Sequence, residues 1–187
     1  MSVRRTRMNE SQQKNEAQID RRIEFLINEA QLGATRDQVI TYAFRVITNY
    51  LSVKYDARSG KLRRECHYRS KKAHALYLEY LKRSDLKGWL DRVTNEHQYP
   101  IKDAWEWMIK ERANLSVQSV KDRLIRWPVV VVTEDENKEL REVDKELRKV
   151  APAIQPDQRY LKAKIKVLEE TKPGQWRLRK SPNQISD

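Results

Sequence analysis

Hydrophobic residues in the first part of the chain recur at intervals of three and four, the spacing of one face of a helix. From residue 11 onward the positions that follow it are Ile19, Ile23, Leu26, Ile27 and Ala30. Gly33 is predicted to end this helix, and the capping box Thr35-Arg-Asp-Gln38 to open a second helix that runs to Leu51. The short turn indicates a helix-turn-helix or a simple antiparallel pair, and we favour the pair because the second helix carries few basic residues.

The middle of the chain continues this helical pattern. Ser70 is predicted to cap a helix that reaches about Leu81, and Ser84 to cap a short helix over residues 84–93. Two amphipathic helices rich in tryptophan are predicted within residues 101–127. Tryptophan on such helices is typical of a core or an interface.

Signals for β-structure are confined to two places. The valine run 129–132 is short, β-branched and preceded by Pro128, which predicts a strand, and Thr133 is predicted to cap the helix that follows. Near the C-terminus, residues 162–168 and 176–179 alternate with a period of two. That alternation predicts a basic hairpin, with a disordered basic tail as the alternative.

These elements predict a fold that is mainly α with a small β element (α+β). Only four glycines occur, which argues against a glycine-rich phosphate loop and against a turn-dense β-sandwich. The chain divides by pattern into segments with different expected roles. They are a flexible basic arm at 1–10, a helical region at 11–83, a candidate core at 84–150, and a basic tail or hairpin at 151–187.

The net charge of +12 and the pI of about 9.8 favour a polyanionic partner. Residues 54–72 hold eight cations and two carboxylates, hence +6, so this segment is predicted to contact nucleic-acid phosphates, with DNA favoured over RNA. A solvated loop is the alternative reading. The predicted contacts are Arg58, Lys61, Arg63, Arg64, Arg69, Lys71 and Lys72, with Arg177 and Arg179 from the tail.

Composition also limits the setting in which the protein is expected to work. No apolar run approaches the roughly 20 residues that span a bilayer, and no signal peptide is visible, so we expect a cytoplasmic protein with no membrane partner. Cys66 is the single cysteine, which excludes an intramolecular disulfide and a cysteine-based zinc site.

One short stretch carries candidate chemistry. Glu96 directly precedes His97, Pro100 follows three residues later, and Asn137 lies in the helix after the valine strand. A histidine titrates near neutral pH and can activate water, while carboxylate and amide oxygens hold a hard divalent cation. Pro100 is expected to end a strand and leave His97 exposed there. An ordinary polar turn, followed by a helix with acidic residues at its N-terminus, is the alternative.

The pattern Glu96-His97-x-x-Pro100 resembles the first half of the HNH, or ββα-metal, nuclease motif. In that family a second strand and a helix complete the metal site, and residues 129–140 offer both elements here. The resemblance implies His97 as general base, with Glu96 and Asn137 as ligands of a divalent metal (Mg or Mn). Residues 101–128, predicted to be helical, separate the two halves.

The function expected from charge and resemblance together is that of a metal-dependent DNA endonuclease that hydrolyses phosphodiesters. A homodimer would suit an enzyme that must cut both strands. Two alternatives stay open. One is a nucleic-acid-binding protein without catalysis, and the other is a helical assembly subunit whose tryptophan-bearing helices form an interface.

Overall fold

The computed structural model describes the chain over residues 10–53, 65–151 and 153–180. Four of the predicted nucleic-acid contacts, Arg58, Lys61, Arg63 and Arg64, lie outside these residues, as does most of the N-terminal arm. Within the described ranges, no helix combines the length and the apolar composition needed to cross a bilayer.

Helices predominate and surround one small sheet, which confirms the predicted α+β class. The helices described are α1 (Glu10–Gln31), α2 (Gln38–Leu51), α3 (Lys71–Lys82), α4 (Leu86–Leu90), α5 (Ile101–Lys110), α6 (Val117–Arg126), α7 (Glu134–Val150) and α8 (Pro156–Lys162), with a 3₁₀ turn at Arg112–Asn114. The strands are β1 (Tyr68–Ser70), β2 (Val93–His97), β3 (Val129–Thr133), β4 (Val167–Lys172) and β5 (Gln175–Leu178).

Side-chain caps determine where several helices begin. As predicted, the Ser70 hydroxyl accepts from the Ala73 amide at 2.9 Å and opens α3. Thr133 and Glu136 form the reciprocal box that opens α7. The capping box predicted from Thr35 is wrong, because the Asp37 carboxylate accepts from the first turn and caps α2 instead.

The cap predicted for α4 is also wrong. Ser84 lies in the left-handed region with φ of 56°, and the Asp85 carboxylate caps the helix by accepting from the Gly88 amide at 2.8 Å. The helix is one short turn that ends at Leu90, and the chain becomes strand β2 from Val93. The short helix predicted over 84–93 therefore extends too far at both ends.

The sheet has the strand order β2-β3-β1-β4-β5 and draws its strands from three of the predicted segments. β2 and β3 pair antiparallel, while β1 runs parallel to β3 and antiparallel to β4. β4 and β5 form a basic hairpin as predicted, although its first strand begins at Val167 and not at residue 162, and Gly174 supplies the positive φ of 76° in its turn. Strand β2, which carries Glu96 and His97, is therefore an edge of this sheet.

The valine strand divides the sheet core in two because successive side chains point to opposite faces. Val130 and Val132 pack with Leu140 of α7 on one face, and Val131 packs with Trp89 of α4 on the other. A third core lies among helices α1, α2, α5 and α6. The helical layer meets the sheet beside edge strand β2, and the candidate site lies at that junction.

Candidate functional site

Strand pairing fixes the positions of Glu96 and His97. In the antiparallel register Glu96 faces Val130 and His97 faces Val129. β3 then runs directly into α7, so the order strand, strand, helix is the one that the resemblance implies. Helices α5 and α6 occupy the connection between the two strands, as the sequence predicted.

A cleft of about 510 Å³ opens beside this end of β2. It brings together Glu96, His97 and Asn137, the three residues predicted to form a catalytic centre. The other lining residues come from the α2 side, from β2 and its following turn, and from α7 and α8. They are Arg36, Thr41, Arg45, Asn49, Thr94, Asn95, Pro100, Ile101, Arg141, Asp144 and Arg159.

Arg159 is the most buried residue that lines the cleft, being only 2% exposed. Its Nε and Nη2 donate to the two oxygens of Asp144 at 2.6 and 2.7 Å, and Nη2 also donates to Glu96 Oε1 at 2.8 Å. Its Nη1 donates to the backbone oxygens of His97 at 2.8 Å and Gln98 at 3.5 Å. All five N–H groups of the guanidinium are thus used inside the protein.

The ion pairs and the burial act against each other on the pKa values of this cluster. Burial raises the pKa of Glu96, and the nearby Arg159 opposes the rise without cancelling it. Burial alone would lower the pKa of Arg159, but Glu96, Tyr160 and Asp144 outweigh it and the pKa is raised. Arg159 is therefore a permanent buried cation between two carboxylates.

The predicted divalent metal does not fit this arrangement. The position between the carboxylates of Glu96 and Asp144 is filled by the Arg159 guanidinium, which takes one Glu96 oxygen and both Asp144 oxygens. Asn137 lines the same cleft, but a cation bound to it would compete with Arg159 for Glu96, the other predicted ligand.

His97 ends β2 as expected, but it is not exposed. The residue is half-buried, and its Nε2 is buried without a hydrogen-bond partner among the described residues. Pairing continues past the strand end, since the Gln98 amide donates to the Pro128 oxygen at 3.2 Å. Burial, helped by Arg45 and Arg159, lowers the pKa of His97 to about 4, so the imidazole is neutral at pH 7.

The structure places the remaining predicted cations away from the cleft. Lys71 and Lys72 are exposed in the first turn of α3. Arg177 is exposed and pairs with Glu169 on the hairpin. Arg179 donates to the Gln98 side chain and the Arg126 carbonyl, and burial lowers its pKa. None of these four residues lines the cleft.

Arg69 was predicted to contact nucleic acid, but it is only 3% exposed. Its guanidinium carbon lies 4.2, 5.1 and 4.7 Å from the ring centroids of Tyr77, Trp89 and Trp176. A guanidinium enclosed by three rings contributes to packing through cation–π contact and is not presented to a polyanion.

Sequence reasoning missed the arginines that do line the cleft. Arg141 and Asp144 follow Asn137 at intervals of four and three, so the three share one face of α7. Arg45 and Asn49 are likewise spaced by four on α2. The spacing was a usable signal, but only the fold shows that the two helix faces border the same cleft.

Comparison of the chain with protein-family models, with curated proteins and with solved structures finds no match.

Proposed function

We propose that the protein binds nucleic acid and holds the phosphodiester backbone in this cleft with Arg36, Arg45 and Arg141. The observation that carries the proposal is the distribution of charge around the cleft. Its two carboxylates, Glu96 and Asp144, are both bound by Arg159. Arg36, Arg45 and Arg141 form no salt bridge within the described part of the chain, although Arg141 is close enough to Glu96 to lower its pKa, so the lining keeps a net charge of +2 with His97 neutral.

The chemistry of these side chains suits phosphate. A guanidinium donates two parallel hydrogen bonds to a phosphate and keeps its charge at every physiological pH. The amides of Asn49, Asn95 and Asn137 line the same cleft and can donate further hydrogen bonds to phosphate or sugar oxygens. Backbone contacts of this kind carry little sequence information, so we expect binding with weak sequence preference.

The whole-chain charge of +12 supports the same partner by attracting a polyanion over a distance of about one Debye length, roughly 8–10 Å in ordinary buffers. Lys71, Lys72 and Arg177 are exposed outside the cleft, so they add to this long-range attraction and not to the contacts within the cleft. A cytoplasmic location and a homodimer stay predictions of the sequence.

Salt dependence tests this proposal. The affinity for a fluorescein-labelled 20-base oligonucleotide, measured by fluorescence anisotropy, is expected to fall linearly with salt on a double-logarithmic plot. Three arginine–phosphate contacts predict a slope of about −2 to −3, because each contact releases a condensed counterion. An affinity that does not change between low and high salt would exclude phosphate contact and favour an assembly subunit.

A second candidate function is hydrolysis of the bound phosphodiester with His97 as general base. It is favoured by one observation, the meeting of Glu96, His97 and Asn137 in a single cleft. A pKa of about 4 leaves the imidazole unprotonated and able to accept a proton, although as a weak base. Because the carboxylates are bound by Arg159, we assign no step of this reaction to a metal.

Nicking of supercoiled plasmid tests this second function, with Mg²⁺, Mn²⁺ or EDTA present. Hydrolysis at the cleft predicts nicking that His97→Ala abolishes while the anisotropy-measured binding persists. Nicking that survives EDTA would assign the chemistry to the side chains alone, whereas a requirement for Mg²⁺ or Mn²⁺ would show that a cation takes part in the reaction. Equal nicking by His97→Ala and wild type would end the catalytic role of His97.

A further inference from the structure

Helix α2 presents two faces of opposite character. Ile40, Ala43, Phe44 and Ile47 are buried in the helical core. The other face follows the same period and carries polar side chains, of which Thr41, Arg45 and Asn49 line the cleft. The exposed side of α2 is thus one wall of the proposed phosphate site.

The cleft does not end at this wall. A second depression of about 580 Å³ lies along the first half of α2. It shares Arg36, Thr41 and Arg45 with the first cleft and adds Asp37, Gln38 and Tyr42. Asp37 is used as the helix cap, and Arg36 Nη1 donates to Thr41 Oγ1 at 3.1 Å. The two depressions therefore form one continuous surface, with Arg36 and Arg45 at the junction.

Tyr42 is the unusual residue of the outer depression. It is 60% exposed, and among the residues that the structure describes it is the one aromatic side chain in the exposed class. The Arg22 guanidinium of α1 lies 5.8 Å from its ring centroid, which restrains the ring by cation–π attraction. An exposed aromatic ring next to two phosphate-binding arginines is the arrangement that single-stranded nucleic acids use for base stacking.

We propose that the partner is a single-stranded nucleic acid, with one base stacked on Tyr42 and its neighbouring phosphates held by Arg36 and Arg45. This inference rests on the proposed function, which it narrows to one substrate class. A duplex already stacks its bases on each other and offers no open face to a tyrosine, whereas an unpaired base does. Any base can stack on a tyrosine ring, so this contact agrees with the weak sequence preference expected of arginines that bind the phosphodiester backbone.

Substitution of Tyr42 separates this inference from the proposed function. The probes are labelled single-stranded DNA, single-stranded RNA and duplex DNA of one sequence, each measured with wild type, Tyr42→Leu and Tyr80→Leu. Tyr42→Leu is expected to bind the single strands about 10-fold more weakly, since one stacked base contributes about 1–3 kcal/mol. Tyr80→Leu is the control for loss of a ring outside both depressions, because Tyr80 also lies under an arginine, Arg83 at 5.9 Å. Tyr80 packs partly against the core around Trp89, so circular dichroism is used to show that each variant is folded before its affinity is compared.

The outcomes are distinct. A loss on the single strands with Tyr42→Leu alone, and wild-type preference for single strands over duplex, would support the inference. The DNA and RNA probes then decide which sugar is preferred. Unchanged single-strand affinity in Tyr42→Leu, an equal loss in Tyr80→Leu, or a wild-type preference for duplex would overturn the stacking role and leave the arginine cleft standing. Failure of all three probes to bind would overturn the proposed function as well.

Discussion

Replacing Arg159 with methionine is expected to lower the free energy of unfolding by about 3–5 kcal/mol, the largest stability effect of any single substitution we predict here. The cost arises because the side chain holds five acceptors inside the protein, including two carboxylates. Without it, Glu96 and Asp144 would lose the guanidinium that binds both of them, Glu96 would keep only the weaker attraction of Arg141, and the His97 carbonyl would lose its donor. Urea titration followed by circular dichroism measures the change.

Two comparisons make this result specific to the buried cluster. Arg177→Met removes an arginine from an exposed pair and is expected to cost less than about 1 kcal/mol. Adding Glu96→Gln and Asp144→Asn to Arg159→Met should recover part of the lost stability, because the uncompensated charges disappear. If Arg159→Met proves too unstable to fold, Arg159→Lys can be measured instead. It keeps the positive charge but not the planar guanidinium, so its free energy of unfolding should lie between those of Arg159→Met and the wild type. Equal losses in Arg159→Met and Arg177→Met would show that the cluster does not stabilise the fold.

Features set by neighbouring residues were predictable from the sequence. The caps at Ser70 and Thr133 depend on amides three residues away, and both were confirmed. The valine strand follows from local composition and was confirmed. A hairpin near the C-terminus was also confirmed, but its first strand is Val167–Lys172, so the alternation over residues 162–168 placed that strand too early. The error at α4 has a local cause too, since Ser84 and Asp85 are both good caps and only the backbone shows which one is used.

Features set by distant contacts were not predictable. Strand β1 has only three residues, too few to show a strand pattern in the sequence. It forms because β3 and β4 pair with it on either side. His97 was expected to be exposed, but Arg159, sixty-two positions away, binds its carbonyl and helps to bury it. Arg69 resembled a surface cation in a basic segment, and only the fold reveals the three rings around it. The density of positive charge in the sequence predicts a polyanionic partner, but it does not show which arginines would bind that partner.

The second large expected effect is on binding. The double substitution Arg45→Ala and Arg141→Ala is expected to weaken the affinity for single-stranded DNA by at least about 100-fold at low salt, since each lost charged hydrogen bond costs about 1.5–3 kcal/mol. These arginines lie on α2 and α7, at two borders of the same cleft. Arg83→Ala with Arg112→Ala removes the same two charges from residues outside the cleft, so the control keeps the net charge matched.

The slope of affinity against salt for these two double variants tests the cleft most directly. With both arginines in phosphate contact, Arg45→Ala with Arg141→Ala flattens the slope by about 1.4–1.8, and the matched control leaves it close to the wild-type value. Equal slopes for the wild type and both variants, or a flattening only in the control, would contradict phosphate binding between α2 and α7.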